Sequence, residues 1–437
     1  MLRAGLLGVA GIGAWSSVTG CGSRSTSDDE TRGAAVGTAG IAMSQRTRSA
    51  TNASAVPATV DALQSFGADL YRRLADRPGN VVCSPYSVAL ALAMTRNGAR
   101  GSTAAEIDRV LHAPALAALN GGLNALGQHL DSRAGDRKRA DGSTAKVSLA
   151  GASSLWGQRG IRWEQAFLDA LAQDYGAGVR MVDYAGDADS ARQAINAWTG
   201  ARTAGRIPQL VPAGVLDRLT RLVLVNAISL KAPWEEPFKK AQTHHAPFTR
   251  ADDSQVRVPM MRGLLRSAGH STGPGWQAVD LRYAGSQLAM AVVVPDQGRL
   301  PALQGDLDGA ALGRLLAGFR PGAVALSLPR WTFRARADLG DLLGALGMPT
   351  AFTNRADLTG MTAQERLLIA AVLHEAFIAV DEEGTEAAAA TAVALRTTSA
   401  PPPPVRITVD RPFMFVIHDV ETATPLFVGR VDDPTRA

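Results

Sequence analysis

The chain has 437 residues and a net charge of +5, and it is long enough for two average domains. After its first stretch it shows no internal linker, repeat or long charge block, which favours one mixed domain of about 380 residues. The tightest basic cluster, Arg137-Lys138-Arg139, lies among Asp136 and Asp141. Composition therefore indicates a solvated loop there and argues against a surface for nucleic acid or another polyanion.

Residues 1–20 predict an export signal. A short basic start at Arg3 precedes an apolar run over residues 4–15, which is too short to span a bilayer as a helix and is typical of a signal peptide. Val18-Thr-Gly-Cys21 resembles a bacterial lipobox, in which the cysteine thiol carries a diacylglycerol. We expect a bacterial, extracytoplasmic protein anchored to the cell envelope by lipid at Cys21. The alternative is an ordinary signal peptide on a secreted protein, with a cysteine unrelated to it.

Residues 21–58 are rich in serine, threonine, glycine and alanine and have no apolar period. This composition predicts a flexible linker before a domain at 59–437. The other cysteine, Cys83, lies in an apolar, strand-like run and is expected to be a buried thiol. If Cys21 carries lipid, no disulfide forms, and the apolar core alone stabilises the domain.

The first half of the domain shows mainly helical patterns. Residues 60–74 place apolar side chains on one helical face and end at Pro78-Gly79. Ser84 precedes Pro85 as the expected N-cap of a second helix, and Ser102-Thr-Ala-Ala-Glu106 has the look of a capping-box start. Further helices are predicted over residues 114–130, 164–175, 187–203, 307–316 and 338–346.

Strand patterns dominate the second half. They are predicted over residues 81–83, 147–156, 179–182, 219–230, 256–261, 276–283, 288–294, 323–334, 368–380, 413–418 and 426–431. Helices crowded into the first half and strands into the second argue for an α+β fold with large mixed sheets.

Residues 378–395 are ambiguous from local pattern alone. Strand-like Ile378 and Val380 are followed by Gly384 and then by a run of alanines and other small residues. By propensity the alanines favour a helix; by alternation they fit a strand whose inward residues, beginning at Thr385, are all small and uncharged. A solvated alanine-rich linker is the third reading. We interpret the segment as poised between an exposed loop and a buried strand.

Few residues have a type and spacing that would suit catalysis or metal binding. Ser84, Ser87, Asn226 and His374 resemble a hydrolase set, but no Gly-x-Ser-x-Gly surrounds either serine and no acid has the spacing of a triad partner. His244-His245 has no third ligand at metal spacing and is interpreted as a loop pair. Because no nucleotide-binding fingerprint is present either, we expect no enzyme, no cofactor and no metal.

Eight short motifs, which occur along the chain in a fixed order, remove much of the ambiguity about residues 378–395. They are His374-Glu-Ala-Phe-Ile-Ala-Val-Asp-Glu-Glu-Gly-Thr-Glu-Ala-Ala-Ala-Ala-Thr, Asn80-Val-Val-Cys-Ser-Pro-Tyr-Ser-Val, Asn97-Gly-Ala-Arg-Gly-Ser-Thr, Leu224-Val-Asn-Ala-Ile-Ser-Leu-Lys-Ala-Pro-Trp-Glu-Glu-Pro-Phe, Leu328-Pro-Arg-Trp-Thr-Phe, Ala356-Asp-Leu-Thr-Gly-Met, Arg411-Pro-Phe-Met-Phe-Val-Ile and Pro425-Leu-Phe-Val-Gly-Arg-Val. Together they resemble the serpins, from about residue 60 to the C-terminus. The resemblance implies the serpin fold, in which helices pack on three β-sheets beneath an exposed reactive-centre loop.

The resemblance also assigns roles to residues. It implies a buried polar cluster where the strands of the largest sheet part, the shutter, at Ser84, Ser87, Asn226 and His374. It implies an ion pair where the loop enters that sheet, the breach, at Glu382 and Arg330 with Trp234 nearby. It implies a hinge at Glu382, Gly384, Thr385, Glu386, Ala387, Ala388, Ala389, Ala390 and Thr391.

The activity implied is suicide inhibition of serine proteases by a monomer. In the family the cleaved bond usually follows the seventeenth residue counted from the glutamate at Glu382, which gives Thr398–Ser399. Thr398 points to an elastase- or subtilisin-like target; Arg396–Thr397 is the second choice and would suit a trypsin-like one. A non-inhibitory binding or chaperone role, or inhibition of cysteine proteases, is the alternative.

Overall fold

The computed structural model describes residues 40–385 and 403–436. The predicted signal peptide, Cys21, the hinge from Glu386 to Thr391 and both candidate reactive bonds lie outside these ranges. Its α-helices are α1 (Val56–Ala75), α2 (Pro85–Gly98), α3 (Gly101–Val110), α4 (Leu116–Asp131), α5 (Gln165–Tyr175), α6 (Ala188–Arg202), α7 (Leu300–Gly305), α8 (Gly309–Ala317) and α9 (Gly340–Leu346). None of these helices has the length and apolar character needed to cross a bilayer.

The strands, in chain order, are β1 (Gly40–Ala42), β2 (Val81–Cys83), β3 (Gly135–Lys138), β4 (Thr144–Gln158), β5 (Val179–Val182), β6 (Leu222–Pro233), β7 (His244–Thr249), β8 (Gln255–Leu265), β9 (Gly269–Gly273), β10 (Trp276–Arg282), β11 (Leu288–Pro295), β12 (Arg320–Pro321), β13 (Val324–Pro329), β14 (Trp331–Asp338), β15 (Ala371–Val380), β16 (Gly384–Thr385), β17 (Val405–Thr408), β18 (Phe413–Asp419) and β19 (Pro425–Val431). Most follow the predicted alternation, and the predicted helices recur with shifts of a few residues, because apolar period is the dominant local signal.

Three sheets organise these strands. The central sheet has the order β1-β5-β4-β6-β16-β15-β14, with β3 paired to β4; a second sheet of seven strands runs β12-β9-β10-β11-β18-β19-β2, and a third of four strands runs β17-β13-β8-β7. The main apolar core lies between helices and sheets, and a second core lies around Trp156, Ile195 and Val223. Helices on three sheets confirm the predicted α+β serpin fold.

The folded part begins earlier than the sequence indicates. The expected linker ran to residue 58, yet β1 pairs antiparallel with β5, and Arg48 donates from Nε to Asn124 Oδ1 at 2.9 Å. α1 starts at Val56 after a 3-10 turn at Ala53–Ala55. Residues 40–42 attach at a sheet edge through backbone groups, which leave no side-chain pattern, and Arg48 attaches through a polar side chain, so neither contact produces an apolar period.

Other local expectations were wrong. α3 begins at Gly101 without a side-chain cap, and Glu106 instead accepts hydrogen bonds from the backbone and hydroxyl of Thr350. The strand expected over 323–334 breaks at Arg330 and continues in a different sheet. His244-His245 lies in β7, opposite Met260 and Pro259, and is not a loop pair.

The basic cluster was also misread. Gly135–Lys138 forms β3 of a hairpin with β4, and Arg139, at the turn, is only 5 % exposed. A solvated loop does not bury a guanidinium. Arg139 is buried because it reaches the segment after β6, where its Nε donates to the Trp234 carbonyl at 2.7 Å.

Candidate functional site at the central seam

The central sheet contains a seam between β6 and β15. These strands pair directly and in parallel from Val223 with Ala371 to Ser229 with Phe377. Above that point the direct pairing stops and β16 occupies the space between them, antiparallel to both. The seam is thus closed along its lower part and already opened by a short strand at its upper end.

The shutter residues meet across the lower seam. His374 on β15 lies opposite Asn226 on β6 and bonds to it through Nδ1 and Oδ1 at 2.6 Å. The Ser87 hydroxyl donates to the same Asn226 oxygen at 2.7 Å. Ser84 caps α2 by accepting from the Ser87 backbone, as predicted, and its own N–H donates to His374 Nε2 at 3.2 Å. All four predicted residues therefore lie in one buried cluster.

The hydrogen bonds define the state of His374. Because Nε2 accepts from the Ser84 N–H, Nδ1 must carry the ring proton and donate to Asn226. Burial lowers the pKa of His374 to about 4, since a second ring proton would place an unpaired charge in the core. Within the cluster no serine hydroxyl is bonded to the imidazole, so the arrangement lacks the nucleophile–base pair of a hydrolase.

The upper seam is formed by a tight turn from Asp381 to Gly384. Asp381 Oδ1 accepts from the backbone N–H groups of Glu383 and Gly384 at 2.8 and 3.2 Å. Gly384 has φ +151°, and a Cβ there would lie 2.3 Å from the Ala232 carbonyl oxygen. Only glycine can make this approach, which explains the glycine at position 384.

Thr385 points into the protein. It is 1 % exposed, and its hydroxyl is 2.7 Å from that of Tyr283. The Tyr283 ring stacks on Trp234 with centroids 4.6 Å apart. Trp234 in turn donates from its indole to the Asp381 carbonyl at 3.0 Å and from its backbone to the Glu383 carbonyl at 2.8 Å. The predicted inward direction of Thr385 is the one observed; the next inward positions lie outside the described residues.

An ion pair stabilises the outer side of the turn from Asp381 to Gly384. Glu382 is buried and forms an ion pair with Arg330, which is partly exposed at the junction of β13 and β14. Thr243 donates to the other Glu382 oxygen at 2.5 Å. Burial alone would raise the pKa of Glu382, but Thr243 and Arg330 stabilise the carboxylate and the net pKa is lowered. The predicted ion pair of Arg330 and Glu382 is thus present in the geometry, and Trp234 lies nearby, bonded to the residues on either side of Glu382.

Three residues that contribute to the shutter and the breach were not predicted from the sequence. Ser153 on β4 accepts from Asn226 Nδ2 at 3.0 Å and so extends the shutter to a third strand. Tyr283 and Thr243 reach the breach from β10–β11 and from the segment before β7. Their sequence neighbourhoods carry no distinguishing signal, because each contact joins distant parts of the chain. Among the described residues, no group of three or more histidine, cysteine or acidic side chains is placed to hold a metal ion.

With this geometry in hand, comparison with known proteins identifies the family. The profile of the serpins (serine protease inhibitors) matches residues 61–434. The chain belongs to the serpin family. The helices and three sheets described above agree with this membership.

Individual relatives agree. The chain is 37 % identical over 391 residues to an uncharacterized serpin-like protein of Thermococcus kodakarensis, covering 86 % of this chain and 85 % of the relative. It is 32 % identical over 380 residues to human leukocyte elastase inhibitor, covering 84 % and 97 %. The native-state structure of the thermophilic serpin tengpin superposes with a TM-score of 0.78 at 26 % identity, covering 91 % of this chain and all of that one.

Proposed function

We propose that this serpin is a suicide-type inhibitor of serine proteases that works by inserting its cleaved loop into the seam. One observation carries the proposal: Gly384–Thr385 already lies as a strand between Ala232–Pro233 of β6 and Val380 of β15. The position where a longer inserted strand would start is therefore occupied in the intact protein. Below it, β6 and β15 are paired to each other and not yet separated.

The proposed reaction begins at Thr398–Ser399. The serine oxygen of the protease attacks the Thr398 carbonyl carbon, the bond to the Ser399 nitrogen breaks, and that nitrogen leaves as a free amine. Thr398 is then held as an ester on the protease. The chain after the break stays in place through β17, which pairs with β13, whereas the segment from Gly384 to Thr398 is released from it and carries the protease at its end.

Insertion then competes with hydrolysis of the ester. The freed segment extends β16 downward, antiparallel to β6 and β15, and its backbone groups gain ladder partners on both sides. The attached protease is carried along and its active site is distorted. Small residues at 387, 389 and 391 favour rapid entry, because bulky or charged side chains would have to be buried.

The target class follows from the residues before the bond. Thr398, with Val393 and Leu395 upstream, fits a small-residue pocket of the elastase or subtilisin type, and the leukocyte elastase inhibitor relatives support a protease target. Arg396–Thr397 remains the second choice, for a trypsin-like protease. A cysteine protease would form a thioester at the same carbonyl.

The test is incubation with elastase, subtilisin, trypsin and papain. We expect an SDS-resistant complex with at least one serine protease and a new N-terminus at Ser399, together with a much higher melting temperature after loop cleavage. Cleavage without a complex and without a gain in melting temperature would contradict inhibition and favour a non-inhibitory binding or chaperone role. A complex formed with papain alone would move the target class to cysteine proteases.

We further propose that the mature protein is attached to the envelope through lipid on Cys21, with the chain before residue 40 as its tether. Support comes from the lipobox-like Val18-Thr-Gly-Cys21 and the apolar run before it. Expression in a bacterial host with labelled palmitate should label the protein, and Cys21→Ala should lose the label. Label that persists in Cys21→Ala would contradict the anchor and leave secretion as the alternative.

A further inference from the structure

Arg180 is a partly buried cation on β5 of the central sheet. It lies opposite Trp156 on β4 and opposite Ile41 on β1. Residues that pair across neighbouring strands share a face of the sheet, so these three side chains lie on one face. On that face Trp156 belongs to the second core, together with Ile195 of α6. The Arg180 side chain therefore lies between the edge of the central sheet and α6.

The partners of the Arg180 side chain are aromatic rings. Its guanidinium carbon lies 4.7 Å from the centre of the Trp198 ring on α6 and 5.7 Å from the centre of the Trp156 ring. The two indole rings meet edge to face, with centres 5.5 Å apart. Over residues 40–385 and 403–436, the Arg180 side chain forms no hydrogen bond and no ion pair. The rings attract the charge through their faces, but they supply no acceptor for its N–H groups.

The surroundings of Arg180 have an excess of positive charge and of hydrogen-bond donors. Arg202 is exposed and follows Trp198 by four residues, so it lies on the same side of α6. Burial lowers the pKa of Arg180, and the charge of Arg202 lowers it further. The indole N–H groups of Trp156 and Trp198 are buried and have no acceptor within the described ranges. In those ranges neither arginine has a carboxylate at ion-pair distance.

We infer that Arg180 and Arg202 form a binding site for a phosphate monoester group, with Trp156 and Trp198 as the platform that orients the Arg180 guanidinium. The planar fork of arginine N–H donors binds phosphate through two parallel hydrogen bonds. Two guanidinium groups balance the charge of a phosphate monoester, which is close to two negative charges at neutral pH. A carboxylate would balance only one of them.

The site is open to solvent at the edge of the central sheet. Ile41, beside Arg180, is 46 % exposed, and the guanidinium is only partly covered. A phosphate monoester reaches such a site from two sources, a soluble phosphate compound or the headgroup of a phospholipid such as phosphatidic acid. The site is separate from the seam, and the inference does not depend on the proposed inhibition of proteases.

Bound phosphate should stabilise the folded chain. A ligand that binds the folded state and not the unfolded state raises the melting temperature, and the effect grows with ligand concentration. If Arg180 were present only for its contacts with the rings, its replacement would change stability by the same amount with and without phosphate. The dependence on phosphate therefore separates a binding site from a packing role.

The experiment compares the full chain in sodium phosphate and in sodium chloride of equal ionic strength, at about pH 8, where phosphate carries about two negative charges. Melting temperature and isothermal titration with inorganic phosphate are measured. Arg180→Met keeps the length of the side chain and should bind phosphate about tenfold more weakly or worse, and Arg202→Met should bind severalfold more weakly. The control is Arg192→Met, which removes the same charge from α6 at a residue paired with Asp189 and should bind as the parent does.

Arg180→Lys is a second variant, for use if Arg180→Met does not fold. It keeps the charge and loses the fork, so its affinity should lie between those of the parent and of Arg180→Met. Phosphate that stabilises the parent no more than chloride does, or that stabilises the Arg180 variants as much as the parent, would overturn the site.

A vesicle arm distinguishes the two sources of phosphate. It uses Cys21→Ala, so that lipid on that residue cannot hold the protein, and compares phosphatidylcholine vesicles with and without phosphatidic acid. Sedimentation with phosphatidic acid that is lost in the Arg180→Met, Cys21→Ala double variant assigns the site to a headgroup. Stabilisation by inorganic phosphate without sedimentation assigns it to a soluble compound. Absence of both effects in the parent would contradict the inference, whereas the SDS-resistant protease complex tests the proposed function separately.

Discussion

The two ends of the seam are held together by different kinds of interaction. The lower part joins β6 to β15 directly, and its side chains form a buried neutral network in which His374 is held without charge. In the upper part these two strands do not pair directly. They are held by β16, which lies between them, by the Arg330–Glu382 ion pair and by the turn that ends at Gly384. The difference teaches that the lower seam resists separation by itself, whereas the upper seam is closed only as long as the hinge remains in it.

Of the variants that test the difference between the two seam ends, Thr385→Arg should have the largest effect on inhibition. Its side chain points into the protein against Tyr283, so arginine would put a charge into the buried position at which the inserted strand begins. We expect the SDS-resistant complex to disappear and the variant to become an ordinary substrate, because hydrolysis of the acyl-enzyme then precedes insertion.

The matched control for that variant is Thr385→Val, which keeps the shape and removes the hydroxyl. It should cost about 1 kcal/mol of stability and retain inhibition. Trapping of protease by Thr385→Arg at the parental stoichiometry would sink the insertion mechanism.

The lower seam should show a pH dependence from His374. Its pKa is about 4 in the folded protein against about 6.5 when unfolded, so between these values the unfolded state binds the extra proton. The free energy of unfolding therefore falls as the pH drops from about 7 to 4, by on the order of 3 kcal/mol in total. Denaturant unfolding across this range measures it.

His374→Gln removes the titrating group and should flatten that part of the profile, although it is less stable than the parent at pH 7. An unchanged slope in His374→Gln would assign the acid sensitivity to other groups. The lower seam would then not differ from the upper seam in being stabilised by a neutral network instead of an ion pair.

Arg330→Ala tests the upper seam. It leaves the Glu382 carboxylate buried with Thr243 as its remaining side-chain partner. Loss of one partner of a buried pair can cost 3–5 kcal/mol, but Arg330 is 41 % exposed and solvent screening reduces the expected loss to about 1–2 kcal/mol. We expect faster formation of latent or polymeric protein, measured by native gels and size-exclusion chromatography.

Arg262→Ala, on an exposed part of the neighbouring β8, is the control for loss of charge. A variant at Arg330 that stays monomeric and fully inhibitory through prolonged incubation at physiological temperature would show that the ion pair does not hold the breach.

The smallest effect is expected at Ser153. Its hydroxyl accepts from Asn226, whereas the adjacent Ser154 hydroxyl contacts only a neighbouring carbonyl at 3.4 Å. Ser153→Ala should lower the free energy of unfolding by about 1 kcal/mol, and Ser154→Ala by less. Equal losses of stability in the two variants would show that Ser153, and with it β4, is not part of the shutter.

The sequence by itself determined the strands and helices with clear apolar period, the N-cap at Ser84, and the family motifs that group Ser84, Ser87, Asn226 and His374. It also identified Gly384 as a break before a run of small residues. These features are local or are read from short motifs, so the physics that produces them acts over a few neighbouring residues.

Only the tertiary structure decided where those pieces meet. Residues 40–58 belong to the folded part because β1 pairs at the edge of the central sheet, and Arg139 is buried because its hairpin reaches Trp234. Tyr283, Thr243 and Ser153 join the site from distant segments. Such contacts depend on strand register and on backbone carbonyls, and neither leaves a pattern in the amino-acid sequence.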